Sequence, residues 1–225
     1  RSHRESRRSN EGTAEGSAVT VTVVFGTATD GYLWNFKSAY LDATGETDAD
    51  GVNNGTTGYF SRQDSGSQYG VYETFIGFDY PAIPDTEYVT SCVVRIEPNV
   101  VRNAFVSQEA RLAGINWKAG GLTTSDYLTA VQLSAGRLDA AYPNIQNALN
   151  REAYAGSDNM LNAMKTVTEM YFALFSSRQL MGTAPTGDEL MAIWTADASG
   201  TAQDPALIST SAPRCTLYGV LGAQV

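Results

Sequence analysis

The residues with chemistry in them are few and dispersed. Four carboxylates, Glu73, Asp79, Asp188 and Glu189, are of the type that glycoside hydrolysis needs as an acid–base pair. Nothing in their spacing ties two of them to one cleft. Asp79 stands just before Tyr80 and Pro81, where an Asp ordinarily accepts backbone hydrogen bonds at a bend. His3 is the only histidine, and it sits in the polar N-terminal segment away from any core-forming strand, which argues against Ser-His-Asp and Cys-His nucleophile systems and imidazole-based metal sites. Neither a G-x-x-x-x-G-K-[ST] phosphate loop nor a strand–GxGxxG–helix unit occurs. With no nucleophile, base and orienting group assembled, the expectation is a protein that is not an enzyme and has no catalytic residue.

Two other groups of side chains invite binding. The stretch DATGETDADGVNNG carries Asp42, Asp48, Asp50, Asn53 and Asn54, oxygen ligands of the kind Ca²⁺ accepts. Asp48, Asp50 and Asn53 are the candidate ligands, but the spacing is not that of an EF-hand. A solvated acidic loop is the simpler reading, and no other cofactor is expected. Trp34, Trp117 and Trp194, with Tyr32, Tyr40, Tyr59 and Tyr69, could form a surface on which sugars stack. Sandwich cores use the same residues on inward positions. Trp34 and Trp194 therefore read as core and Trp117 as strand-end packing. Cys92 and Cys215 lie in apolar, strand-like surroundings and read as buried small hydrophobes in preference to a disulfide.

The elements that hold these residues are mostly strands. The 225-residue chain is 43% hydrophobic, with 12 Tyr and 8 Phe, enough for a sizeable core and weighted toward β structure. AVTVTVVF (18–25) alternates cleanly, GYLWNFKSAYLDA (31–43) reads as a strand or strand pair, and 45–58 as a long loop. YGVYETFIGFD (69–79) and YVTSCVVRIE (88–97) flank a hinge fixed by Pro81 and Pro84. Further strands are expected over 104–117, 166–175, 190–197, after the loop at 200–210, and at 214–222. Helical spacing is expected over 143–153 and as a short turn near 159–164. Many short strands with little helix predict an all-β, antiparallel sandwich, jelly-roll-like, over residues 19–225, with a partly helical insertion around 120–165.

Residues 1–18 are different. They hold Arg1, Arg4, Arg7 and Arg8 against Glu5, Glu11 and Glu15, a balance of +1 in a chain of net charge −9, so the body is −10. This extended N-terminal arm has almost no core-forming side chains and is expected to order only against a neighbouring subunit. The acidic body argues against nucleic acid as a partner, and no apolar run is long enough to cross a membrane as a helix.

Several segments in order resemble one family. TDGYLWNF, TFIGFDYPAIPDTEYVTSCVVRI and the closing PALIST are similar to the jelly-roll modules of the DNRLRE and carbohydrate-binding-module-like group. The likeness spans about residues 27–220 and is closest over 72–97 and 183–210. Such modules occur in virion proteins of tailed bacteriophages and in secreted surface proteins. The resemblance implies a non-enzymatic virion protein, a capsid decoration protein on the outer shell surface, assembled in the host cytoplasm. Its partners would be the major capsid protein, other virion subunits and further copies of itself, with Arg1, Arg4, Arg7 and Arg8 as the partner-binding set. The alternative it allows is a carbohydrate-binding or adhesion module of a tail fibre or secreted protein, with host glycans as ligands.

Overall fold

The computed structural model describes residues 19–27, 30–60, 68–102, 108–112, 120–135, 137–142, 152–155, 161, 164, 168–187, 189–196 and 203–214. The arm, with its four arginines, lies outside them, as do the segments expected as a helix over 143–150 and as a last strand over 215–222. In chain order the elements are β1 (Thr20–Phe25), β2 (Gly31–Lys37), α1 (Tyr40–Gly45), β3 (Gly51–Asn53) and β4 (Thr57–Phe60). The two longest strands of the first half follow, β5 (Tyr69–Asp79) and β6 (Glu87–Ile96), then β7 (Pro98–Arg102) and β8 (Gln108–Leu112). A 3₁₀ turn (Thr124–Asp126) precedes α2 (Ala130–Ala135), β9 (Arg137–Tyr142) and β10 (Glu152–Ala155). The described chain closes with β11 (Glu169–Ser176), α3 (Ser177–Met181), β12 (Leu190–Trp194) and β13 (Ala206–Pro213).

The fold is all-β and antiparallel, a sandwich of three sheets. A six-stranded sheet runs β3-β2-β5-β11-β8-β9, a four-stranded sheet β1-β13-β6-β10, and a small sheet β4-β12-β7. The third sheet, beyond the pair that makes a sandwich, arises because Pro98 cannot extend β6 in its own sheet. The chain turns there into β7, which pairs with β12 instead. Two expected boundaries also move. The second strand ends at Lys37 and Tyr40–Gly45 is helical, while the long loop at 45–58 contains β3 and the start of β4. The insertion is only partly helical, since β9 and β10 lie within it and Glu152–Ala155 pairs with β6 where a helix was expected to end.

The six-stranded sheet is buried on both faces at its centre. Ile76, Phe78, Phe172 and Leu174 face the four-stranded sheet, where Val94, Ile96 and Leu207 meet them, and Met191 and Ile193 of β12 complete this core. Val71, Phe75, Tyr171, Ala173 and Phe175 face the other way, under Tyr40 and Ala43 of α1, Leu133 of α2 and the turn residues Leu122, Tyr127 and Leu128. Each fully buried Phe or Leu contributes about 1.5–3 kcal/mol of transfer free energy. Double-sided burial explains why β5 and β11 read as near-continuous apolar runs.

Candidate functional site

The carboxylates best placed for chemistry are spent on holding elements together. Glu73 is fully buried on β5, where its Oε2 accepts from the Leu128 N–H (3.0 Å) and its Oε1 from Gln179 Nε2 (3.0 Å). It thereby pins the segment before α2 and the helix α3 to the sheet. Glu189, just before β12, forms a buried two-pronged pair with Arg178: Nε to Oε2 at 2.5 Å and Nη2 to Oε1 at 2.7 Å. Arg178 Nη1 also donates to the carbonyl of Ala184 at 3.2 Å. The Tyr127 hydroxyl donates to the Ala43 carbonyl (3.0 Å), tying the same layer to α1, and burial raises its pKa well above the ordinary phenol value.

The space beside this knot, lined in part by Tyr40, Tyr72, Arg178 and Gln179, measures about 10 Å³. That is room for one water, far below the roughly 300 Å³ at which ligand pockets begin. Asp79 lies exposed at the end of β5, and Asp188 is outside the described residues.

The proposed calcium ligands are exposed and do not converge on one point with other acids. Asp50 Oδ2 accepts from the Phe36 N–H (2.7 Å) and Oδ1 from Lys37 Nζ (3.0 Å). Desolvation opposes ionisation of Asp50, but these two donors outweigh it and hold its carboxyl below the usual value. Asp48 meets the Thr47 hydroxyl, and Asn53 lies on the edge strand β3 opposite Tyr32. Among the described residues no three His, Cys, Asp or Glu side chains gather as a metal site.

The aromatic residues do gather. Tyr32, Trp34, Phe36, Tyr59 and Tyr72 form a continuous seam where β4 crosses β2 and β5, with centroid separations from 5.0 Å for Tyr32–Tyr59 to 6.1 Å for Tyr59–Tyr72. Gly51 makes the seam possible, because a Cβ there would collide with the Trp34 indole. The interplanar angles are 40° or more throughout, with Tyr32–Tyr59 and Phe36–Tyr72 edge to face and the other pairs tilted, so the rings share no flat surface. This is inter-sheet packing with partly exposed rims. Trp34 and Trp194, which read as core in the sequence, are half-buried, and Trp117 lies outside the described residues. Tyr40 and Tyr69 pair in the other core layer, at 5.7 Å. Cys92 is free and buried, and Cys215 is outside the described residues.

An exposed apolar row lies elsewhere, on β1. Val19, Val21, Val23 and Phe25 are exposed, while Val24 packs toward the core and Thr20 and Thr22 alternate onto its side of the strand, with Thr20 itself exposed. The threonines border a groove of about 180 Å³ closed by Tyr80, the Pro81–Pro84 hinge, Glu87, Ser209 and Ser211. Glu87 Oε2 accepts from the Ser211 hydroxyl. This exposed row went unread because alternation alone does not say which of its two faces is covered. Arg178 and Gln179 were also missed, since they sit in an apolar stretch with no motif, although Ser176 and Gly182 mark the ends of their helix.

No family model matches the chain, and no curated protein matches it. Among the described residues no helix is long and apolar enough to cross a membrane.

Proposed function

We propose that the chain is a non-enzymatic structural protein of a tailed-phage virion, a capsid decoration protein seated on the outside of the shell and held partly by its N-terminal arm. One observation carries the reading. The chain's row of exposed apolar side chains, Val19, Val21, Val23 and Phe25, begins where the arginine-bearing arm ends. An arm and an adjoining apolar strand are two contiguous contact elements, and linking them raises the effective concentration of each for its target. The occupied carboxylates Glu73 and Glu189 support a scaffold role for the side chains that sequence would nominate for catalysis. The acidic body offers carboxylates to the arginines of neighbouring copies.

The test is binding to assembled shells that lack the protein, comparing the full chain with a version beginning at Ser17. Binding by the full chain and its loss on truncation is the expected result. Failure of both forms to bind shells would sink the decoration reading and redirect the work to a glycan screen.

A further inference from the structure

We infer that the outer edge of β1 pairs antiparallel with β1 of a second copy of this chain, about a two-fold axis at Thr22. The inference does not depend on where the protein resides. It starts from sheet order: β1 ends the four-stranded sheet, and among the described strands it pairs only with β13. An edge strand presents a row of backbone donors and acceptors, and proteins ordinarily guard it with charge, proline, a bulge or brevity. Here none of these is present. Residues 19–25 contain no charged side chain and no proline, and the pairing with β13 runs without a break over six residues. The outward side chains are apolar and solvent-facing, at 59% for Val19, 62% for Val21, 46% for Val23 and 39% for Phe25.

The occupant follows from the strand's own symmetry. A two-fold pairing must keep the apolar rows of both strands on one face, which restricts the register to steps of two. Centred on Thr22, Val21 lies opposite the partner's Val23 and Val19 opposite the partner's Phe25, each twice by symmetry. All four exposed apolar positions then find an apolar mate. Sliding by two residues one way moves Phe25 beyond the end of the partner's apolar row, and the other way sets Val19 opposite Thr27, so either shift strips one apolar side chain of its mate. Charge is compatible with this contact, because the uncharged row lets two bodies of −10 meet without burying like charges. The product is one eight-stranded sheet built from two four-stranded ones. A single strand pair covers less than the roughly 1,200 Å² of a standard stable interface, so dissociation is expected on the order of 1–100 µM.

Sedimentation velocity of the full chain across that range tests the inference, with all variants in a Cys215→Ser background. The parent should shift from monomer to dimer. Val21→Lys should abolish the shift, and Val21→Lys combined with Val23→Glu should restore it, since the register sets each new lysine opposite a new glutamate. Thr22→Cys, which faces its own copy, should give a disulfide-linked dimer on mild oxidation, and Val19→Cys should not. A chain that stays monomeric at 100 µM overturns the inference. So does a double variant no better than a well-folded Val21→Lys, or crosslinking by Val19→Cys equal to that of Thr22→Cys. Shells enter none of these measurements, so a protein that dimerises but ignores shells counts against the decoration reading alone.

Discussion

The centre of the six-stranded sheet and the edge strand β1 use nearly the same alphabet to opposite ends. β5 and β11 are apolar on both faces because both faces are covered, one by the four-stranded sheet and one by the helical layer. β1 alternates as a half-buried strand should, yet its valines face solvent and its threonines face the groove under the hinge. Alternation reports that two faces differ. It does not report which one the molecule covers, and at β1 the apolar face is left for another surface.

The largest expected effect lies at the centre. Phe172 is fully buried and meets Phe78 edge to face at 5.7 Å. Phe172→Ala removes both the burial and that contact and should destabilise the fold by about 3–5 kcal/mol, read by chemical unfolding. A loss under about 1 kcal/mol would mean that the centre of the sheet is not the packed layer described.

Arg178 comes next. Arg178→Ala strands the Glu189 carboxylate in the interior and should cost about 3–5 kcal/mol. Arg178→Met with Glu189→Leu removes both charges and should recover most of that loss, because the pair's attraction largely offsets the cost of burying it. If the double variant is as unstable as the single one, the hydrogen bond from Arg178 to the Ala184 carbonyl matters more than the ion pair.

The all-β class, the hinge and the strands β5, β6, β11 and β12 were legible in the sequence because each is a run of branched and aromatic residues between breakers. The helix α3 was not, although its signals are present. The Ser176 hydroxyl accepts from the Arg178 N–H, and Gly182 takes a left-handed conformation (φ 60°) that closes the helix. Five residues are too few to show helical periodicity. The polar knot was half legible. Glu73 and Glu189 stood out as carboxylates, but their partners Leu128, Gln179 and Arg178 are brought to them by tertiary structure, with Gln179 106 residues from Glu73. The small third sheet was hidden for the same reason, since its strands come from three distant parts of the chain.

A smaller effect separates buried from exposed groups by pH. Burial pushes the Cys92 thiol up to about 12, and Tyr80, whose burial is reinforced by the nearby thiolate charge, likewise to about 12. Both folded values are raised, so their contribution is fully present below the unfolded pKa values and is lost as pH rises toward 12. In a Cys215→Ser background, unfolding free energy should fall by about 1 kcal/mol per pH unit above pH ~9 on account of Cys92 alone. Cys92→Ala should be less stable at neutral pH but show a correspondingly flatter alkaline decline. An identical slope in the two proteins would place the thiol in contact with water.

The smallest effect on stability is expected where the exposed apolar row is densest. Val23→Thr keeps the branched shape that suits a strand and only exchanges a solvent-facing methyl for a hydroxyl, so monomer stability should change by less than about 0.5 kcal/mol. The inward neighbour gives the contrast. Val24 packs against the core beside Leu207, and Val24→Thr sets a hydroxyl against that apolar layer, a cost of about 1–2 kcal/mol. Adjacent valines on one strand should thus differ severalfold under the same substitution, measured by denaturant midpoint at a concentration below any association. Equal losses would mean that the outer face is already covered within a single copy. A near-neutral Val23→Thr that also weakens self-association would leave the outer face no role in the monomer's own stability, and would identify contact with another molecule as what its valines are for.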